Sequence, residues 1–203
     1  MKTLAFDLGR VIFDFDYDIA LEKIKDRITV PKEKIIDDLF YKDFATDFEK
    51  GLISSHDFYT KFKKAYIPSL GYDDFVDIWS DIFSPKPDTI DLLRHLKENY
   101  PLYMISNINQ LHFEHLHNKH PEVFAFFCDL ILSYRVKSIK PEAKIYNELK
   151  KVAGKNSSDI IYIDDRQELI SSARLLNFQC ILFSDYAQLL KDLNALGIKL
   201  PDN

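Results

Sequence analysis

The segment Phe6-Asp7-Leu8-Gly9 places a carboxylate directly after the short apolar run Leu4-Ala5-Phe6. An acid at the carboxyl end of a strand stands where open α/β sheets bind ligands. Three later segments repeat the pattern of an apolar run followed by a polar group. Ser106-Asn107 follows Leu102–Ile105, Lys140-Pro141 comes after Leu130–Leu132, and Asp164-Asp165 closes Ile160–Ile163. In a parallel sheet these ends share one edge, which then gathers three carboxylates, a hydroxyl and an ammonium. Carboxylates in such a group suit Mg²⁺, a hard cation that prefers oxygen ligands. Mg²⁺ would offset the repulsion between an anionic substrate and an anionic nucleophile. Lys140 and Ser106 would hold the oxygens of a transferring phosphoryl group. Asp7 would attack phosphorus and carry it as an aspartyl-phosphate. Taken singly, each residue has a plainer reading. Asp7 before Gly9 makes a turn, Ser106-Asn107 caps a helix, Lys140 is a surface lysine, and the Asp164-Asp165 pair favours a helix N-terminus. Their order at successive strand ends is what points to a site.

The elements that must position these groups are legible as a period. Apolar runs at Leu4–Phe6, Leu102–Ile105, Leu130–Leu132, Ile160–Ile163 and Cys180–Phe183 read as buried strands. Helical patterns at Asp88–Asn99, Glu142–Val152 and Glu168–Leu176 alternate with them, which predicts a doubly wound parallel α/β sheet. Pro141 is placed as the first residue of a helix. The interval 9–101 is far longer than one crossover needs. Within it Phe58, Phe62, Ala65 and Tyr66 share one helical face, and Phe75, Ile78, Trp79, Ile82 and Phe83 share another. Ser54 and Asp57 are spaced as a capping box. Residues 15–85 are therefore expected to form an inserted helical-bundle cap over the sheet edge, with 1–14 and 86–203 as the core and Pro85 and Pro87 marking the return.

Composition sets the outer limits. The chain has 203 residues, room for one sizeable domain with an insert. A net charge of −5 argues against a nucleic-acid partner, because that affinity comes from neutralising phosphates. Cys128 and Cys180 lack motif spacing and suit a reducing compartment. Asp7, Asp14 and Asp16 break the apolar region a signal peptide needs, and no run reaches membrane-spanning length. A cytoplasmic protein acting on a small molecule is expected, with no membrane partner.

The four segments resemble the motifs of the haloacid dehalogenase (HAD) superfamily over nearly the whole chain. Phe6-Asp7-Leu8-Gly9-Arg10-Val11 is similar to its first motif and Ile105-Ser106-Asn107 to its second. Ser138-Ile139-Lys140-Pro141-Glu142 is similar to the third, and Ile163-Asp164-Asp165-Arg166, with Ala173 and Asn177, to the fourth. The insert resembles a C1-type cap. The resemblance implies a Rossmann-like core, Asp7 as nucleophile and Mg²⁺ ligand, the Gly9 carbonyl as a second ligand, and Asp165 with Asp164 completing the set. It implies phosphate binding by Ser106, Asn107 and Lys140, with Arg10 as a further fork of donors. Within the superfamily the wording is most similar to small bacterial phosphatases of glucose 1-phosphate and related sugar phosphates.

Three positions depart from the pattern. Gly9 stands where most family phosphatases carry the Asp that protonates the leaving group, a service worth ~10²–10⁴-fold. Arg10 replaces a small residue or Asn, and Leu169 replaces a polar residue of the fourth motif. Gly9 and Ser106-Asn107 also fit a metal-independent 2-haloacid dehalogenase, against which the acid pair Asp164-Asp165 argues. Gly9 and Leu169 also fit a catalytically weak phospholigand-binding or regulatory protein. His112, His115, His117 and His120 match no common Zn²⁺ spacing and read as a solvated helix face. Asp14, Asp16 and Asp18 lack the glycine and final Glu of a Ca²⁺ loop and read as the hinge into the cap.

Overall fold

The computed structural model describes residues 2–40 and 44–201. The chain opens with β1 (Thr3–Phe6) and β2 (Phe13–Phe15), followed by α1 (Tyr17–Ile24), α2 (Lys32–Phe40), α3 (Thr46–Glu49), α4 (Ser55–Tyr66) and α5 (Tyr72–Ser80). It returns through β3 (Phe83–Pro85), α6 (Pro87–Leu96), β4 (Leu102–Ser106), α7 (Gln110–Lys119) and α8 (Pro121–Phe124). Next come β5 (Asp129–Leu132), α9 (Ser133–Val136), α10 (Ala143–Ala153), β6 (Ile160–Asp164), α11 (Gln167–Leu175), β7 (Gln179–Leu182) and α12 (Tyr186–Ala195).

The main sheet has the order β5-β4-β1-β6-β7, and every pair in it is parallel. Strands β1, β4 and β6 are buried along their whole length, as a sheet covered on both faces requires. The pleat sorts their side chains. Leu4, Phe6, Met104, Ile161 and Ile163 enter one apolar layer, and Ala5, Tyr103, Ile105 and Tyr162 enter the other. Phe6 is in register with Met104 on one side and Ile163 on the other, so β6 runs one residue and β4 two residues past the end of β1. The order reverses between β1 and β6, and a crevice at such a switch point is where doubly wound sheets place ligands. The five strands fall where the apolar runs predict them.

Helices α1–α5 lie between β2 and β3 and pack around their own aromatic cluster, with Phe58, Phe62, Tyr66, Phe75 and Trp79 at its centre. The capping box at α4 is present: Ser54 Oγ accepts from Asp57 N at 3.1 Å, and Asp57 Oδ2 accepts from Ser54 N at 3.3 Å. Some expectations need correction. Ala65 is exposed and Tyr59 takes its place on the buried face of α4. The second face ends early, because α5 stops at Ser80 and Phe83 belongs to a strand. That strand forms an antiparallel ribbon with β2, Phe13 opposite Pro85 and Phe15 opposite Phe83, which periodicity did not reveal in such short segments. Pro141 precedes α10, which starts at Ala143 with Glu142 as its N-cap; the Lys140–Pro141 peptide is cis.

The histidine face is also not uniformly solvated. His112 is 3% exposed and stacks on Trp79 with ring centroids 5.3 Å apart. Its Nδ1 accepts from Asn109 Nδ2 and its Nε2 donates to the Trp79 carbonyl, each at 3.0 Å, which fixes a neutral ring in one tautomer. Burial pushes its pKa down to about 3. This ring ties α7 of the core to α5 of the insert. His115 and Lys119 reinforce the tie through Asp81, at 3.7 and 3.2 Å.

Candidate active site

Asp7 follows β1 directly, and its backbone N donates to Ile163 O at 2.9 Å, so the strand pairing itself fixes where the carboxylate starts. Lys140 reaches in from the loop before α10. Its Nζ stands 2.8 Å from Asp7 Oδ1 and 2.6 Å from Asp164 Oδ2, and its side chain is 1% exposed. Burial alone would drive the Lys140 ammonium toward neutrality; the two carboxylates together outweigh it and hold the charge above the usual lysine range. For Asp7, burial raises the carboxyl, Lys140 pulls it down, and Asp164 raises it again, leaving it above the ordinary range. Two carboxylates thus share one ammonium, a locally anionic arrangement.

The acid pair divides into two environments. Asp164 is fully buried and its oxygens are occupied by Lys140 Nζ, the Tyr162 hydroxyl and Arg166 N, the last at 2.9 Å. Asp165 is half-buried, and burial raises its carboxyl, with Asp164 adding to the rise. Ligand atoms of Asp7, Asp164 and Asp165 all lie within 4.8 Å of one another. An all-oxygen set of this size suits a hard divalent cation.

The remaining sequence candidates border one cavity of about 220 Å³. Asp7, Gly9, Arg10, Ser106, Asn107, Lys140 and Asp165 line it, as do Arg166 and Leu169. Ser106 is 2% exposed. Asn107 turns both its amide atoms to the Lys140 backbone, accepting from N at 2.7 Å and donating to O at 3.0 Å. Arg10 lies over the Phe15 ring at 4.4 Å, with Asp14 3.9 Å away. Leu169 is buried, and its carbonyl accepts from Tyr146 Oη at 3.5 Å.

Gly9 has a steric setting that the sequence did not reveal. A Cβ added there would lie 2.9 Å from Phe15 Cε1 and 4.0 Å from Asp7 Oδ2. Phe15 therefore fills the space beside Gly9, and the second oxygen of Asp7 borders the same space at van der Waals distance. The cavity also contains a residue that sequence reasoning missed. Glu49, from α3 of the insert, lines the same space. Nothing in its local sequence distinguishes it from other surface acids of the insert.

A buried lysine bridging carboxylates at the ends of neighbouring parallel strands, facing a cavity partly walled by a helical insert, defines a candidate catalytic centre on a doubly wound α/β fold. Residues 1–177 match the profile of the haloacid dehalogenase-like hydrolases, and the chain belongs to that family. D-ribitol-5-phosphate phosphatase of Bacteroides thetaiotaomicron is 22% identical over 185 residues, which is 88% of this chain and 90% of that enzyme. A HAD family enzyme from the same organism superposes with a TM-score of 0.83 and 24% identity, covering 94% of this chain and 98% of the other. Its complex with magnesium and inorganic phosphate superposes with a TM-score of 0.80 at 24% identity, covering 93% and 98%. The chain is a HAD-like hydrolase with the fold of enzymes crystallised with magnesium and phosphate. No helix among the described residues is long and apolar enough to cross a membrane.

Proposed function

We propose that this chain is a Mg²⁺-dependent phosphomonoester phosphatase acting on a small phosphorylated metabolite, a sugar or polyol phosphate, in the cytoplasm. One observation carries the reading: Asp7 lines the cavity and only one of its carboxylate oxygens, Oδ1, is held by Lys140. This pairing leaves Oδ2 to attack phosphorus. The Asp7–phosphorus bond forms as the ester P–O bond breaks, and water then cleaves the aspartyl-phosphate. Ser106 and Lys140 bind the phosphoryl oxygens, and Arg10 offers a further positive group at the rim. Asn107 acts by holding Lys140 through its backbone.

Asp7, Asp165 and the Gly9 carbonyl would hold Mg²⁺, with Asp164 occupied in anchoring Lys140. The donor chemistry supports this division: Asp165 and Gly9 line the cavity, whereas Asp164 is enclosed by Lys140, Tyr162 and Arg166. The Gly9 carbonyl takes no hydrogen bond among the described residues, and the flanking bonds run from Phe13 N to Leu8 O and from Arg10 N to Phe13 O. When bound, the cation supplies charge that offsets the repulsion between phosphate and carboxylate. Residues 1–14 and 86–203 serve as the core, and 15–85 as a cap that shields the reaction from water and sets the substrate. Free Cys128 and Cys180 are compatible with a reducing compartment.

The test is phosphate release from a panel of hexose and pentitol phosphates and from 4-nitrophenyl phosphate, with and without Mg²⁺. Wild type is expected to release phosphate only with Mg²⁺, and Asp7→Asn to release none. Chloride release from 2-chloropropionate without Mg²⁺ would replace this reading by the dehalogenase one.

A further inference from the structure

We infer that Glu49, carried by the insert, protonates the leaving group and later activates water, taking the role that Gly9 leaves empty. The inference rests on the phosphatase reading above. Its first support is steric. With Phe15 Cε1 only 2.9 Å from where a Cβ at position 9 would stand, no carboxylate fits there with the ring in place. Phe15 is itself held by Tyr17 and Phe83, with centroids at 5.9 and 6.0 Å. A proton donor must therefore come from another wall of the cavity, and Glu49 is the lining carboxyl that neither pairs with Lys140 nor belongs to the acid pair. Among the described residues its carboxyl has no hydrogen-bond or ion-pair partner, so no structural bond accounts for its position.

The second support is how firmly this segment is held on the core. Ser133 Oγ donates to the Glu49 carbonyl at 2.7 Å, and the same hydroxyl accepts from Ile108 N at 2.9 Å, next to the Asn107 that grips Lys140. Lys50 Nζ pairs with Glu142 at 2.6 Å, and Lys137 Nζ donates to the Gly51 carbonyl. Gly51 has φ +62°, and a Cβ there would run into the Tyr134 carbonyl, so only glycine lets the backbone come this close. The segment Glu49–Gly51 is thus the point where the insert is fastened beside the phosphate-binding residues. The backbone that carries the Glu49 side chain is held by the core as much as by the insert.

The electrostatics are consistent with the role. Burial raises the Glu49 carboxyl to about 7, with Arg166 pulling the other way. The charge of Glu49 in turn adds to the burial that raises the Tyr17 phenol. A carboxyl poised there is near the optimum for moving a proton at neutral pH. In the first half-reaction the Asp7–phosphorus bond forms, the ester P–O bond breaks, and the departing oxygen takes the Glu49 proton. In the second, Glu49 takes a proton from water, the water oxygen bonds phosphorus, and the Asp7–phosphorus bond breaks. Asp7 and the protonated Glu49 are restored.

The experiment compares esters of good and poor leaving groups. With Glu49→Gln, kcat for the active alkyl phosphates of the panel is expected to fall by ~10²–10⁴-fold with KM little changed. In a single turnover the same variant is expected to release a burst of 4-nitrophenolate at nearly the wild-type rate, because that phenolate departs without a proton. Its steady-state rate on this ester also falls, because water activation on the shared aspartyl-phosphate is lost. That retained burst also shows that the variant is folded. Loss of the 4-nitrophenolate burst, a rise in KM alone, or no loss of steady-state turnover would overturn the assignment while leaving the phosphatase reading intact. A wild type inactive on both classes would remove that reading and this one with it.

Discussion

Asn107 holds Lys140 by its backbone, the side-chain oxygen accepting from N at 2.7 Å and the side-chain nitrogen donating to O at 3.0 Å. The residue after β4 thereby sets where the lysine from a different loop enters the site. Asn107→Ala removes both bonds and is expected to cost about 1–3 kcal/mol of stability. Turnover is expected to fall by ~10–100-fold, as for other residues that orient a ligand rather than contact the substrate. Urea unfolding and phosphate release on the same preparation check both, and unchanged turnover would contradict the positioning role.

Asp164 and Asp165 are neighbours in sequence with different expected phenotypes. Asp164→Asn leaves a buried lysine with one charged partner, and breaking a buried pair in this way costs about 3–5 kcal/mol. Asp165→Asn removes a half-buried carboxylate and changes thermal stability little in the absence of metal. In wild type, Mg²⁺ at 100 times its Kd adds about 2.7 kcal/mol of stability, and Asp165→Asn is expected to lose most of that gain. Thermal unfolding with Mg²⁺ and with chelator separates the two roles; an undiminished Mg²⁺ shift in Asp165→Asn would exclude it as a ligand.

Gly9→Asp is expected to destabilise the protein and to leave turnover unimproved, even though it rebuilds the usual motif. The new Cβ meets Phe15, and overpacking of this kind costs about 1–3 kcal/mol. Gly9→Asp combined with Phe15→Ala opens the space and is expected to recover part of the stability lost by Gly9→Asp. Melting temperatures of the two single variants and the double variant measure this coupling.

His112 makes stability depend on pH. Its pKa is about 3 when folded, against about 6.5 for an unperturbed histidine. Below pH 6.5 the unfolded chain takes a proton that the folded chain refuses, so stability falls as pH falls, by ~2 kcal/mol at pH 5 from this group alone. The loss grows until pH about 3, and above 6.5 the group contributes no slope. His112→Phe sacrifices the bonds to Asn109 and the Trp79 carbonyl and is less stable at pH 7. It is expected to lose less between pH 7 and 5 than wild type, as urea unfolding at the two values would show.

The sequence by itself determined the sheet and most of the site. Buried strands of a parallel sheet are apolar along their whole length, so Leu4–Phe6, Leu102–Ile105 and Ile160–Ile163 stand out locally, and the polar residues ending them converge by topology alone. Asp7, Ser106 and Asp165 were legible for that reason, and Lys140 as the lysine that follows the next apolar run, Leu130–Leu132. The tertiary structure decided what depends on contacts between distant segments. The ribbon of Phe13–Phe15 with Phe83–Pro85 joins two short strands across the whole insert, and no local period records it. His112 shares a helix with exposed His117, and only Trp79, packed against it from α5, makes it a core residue. Asp164 and Asp165 are the same residue type side by side, and the pleat sends one to Lys140 and the other to the cavity. Glu49 looks like any surface acid until Ser133 and Gly51 fasten its segment beside the loop that follows β4. Backbone periodicity is written in neighbouring residues, whereas the role of a single carboxylate is fixed by what the fold brings against it.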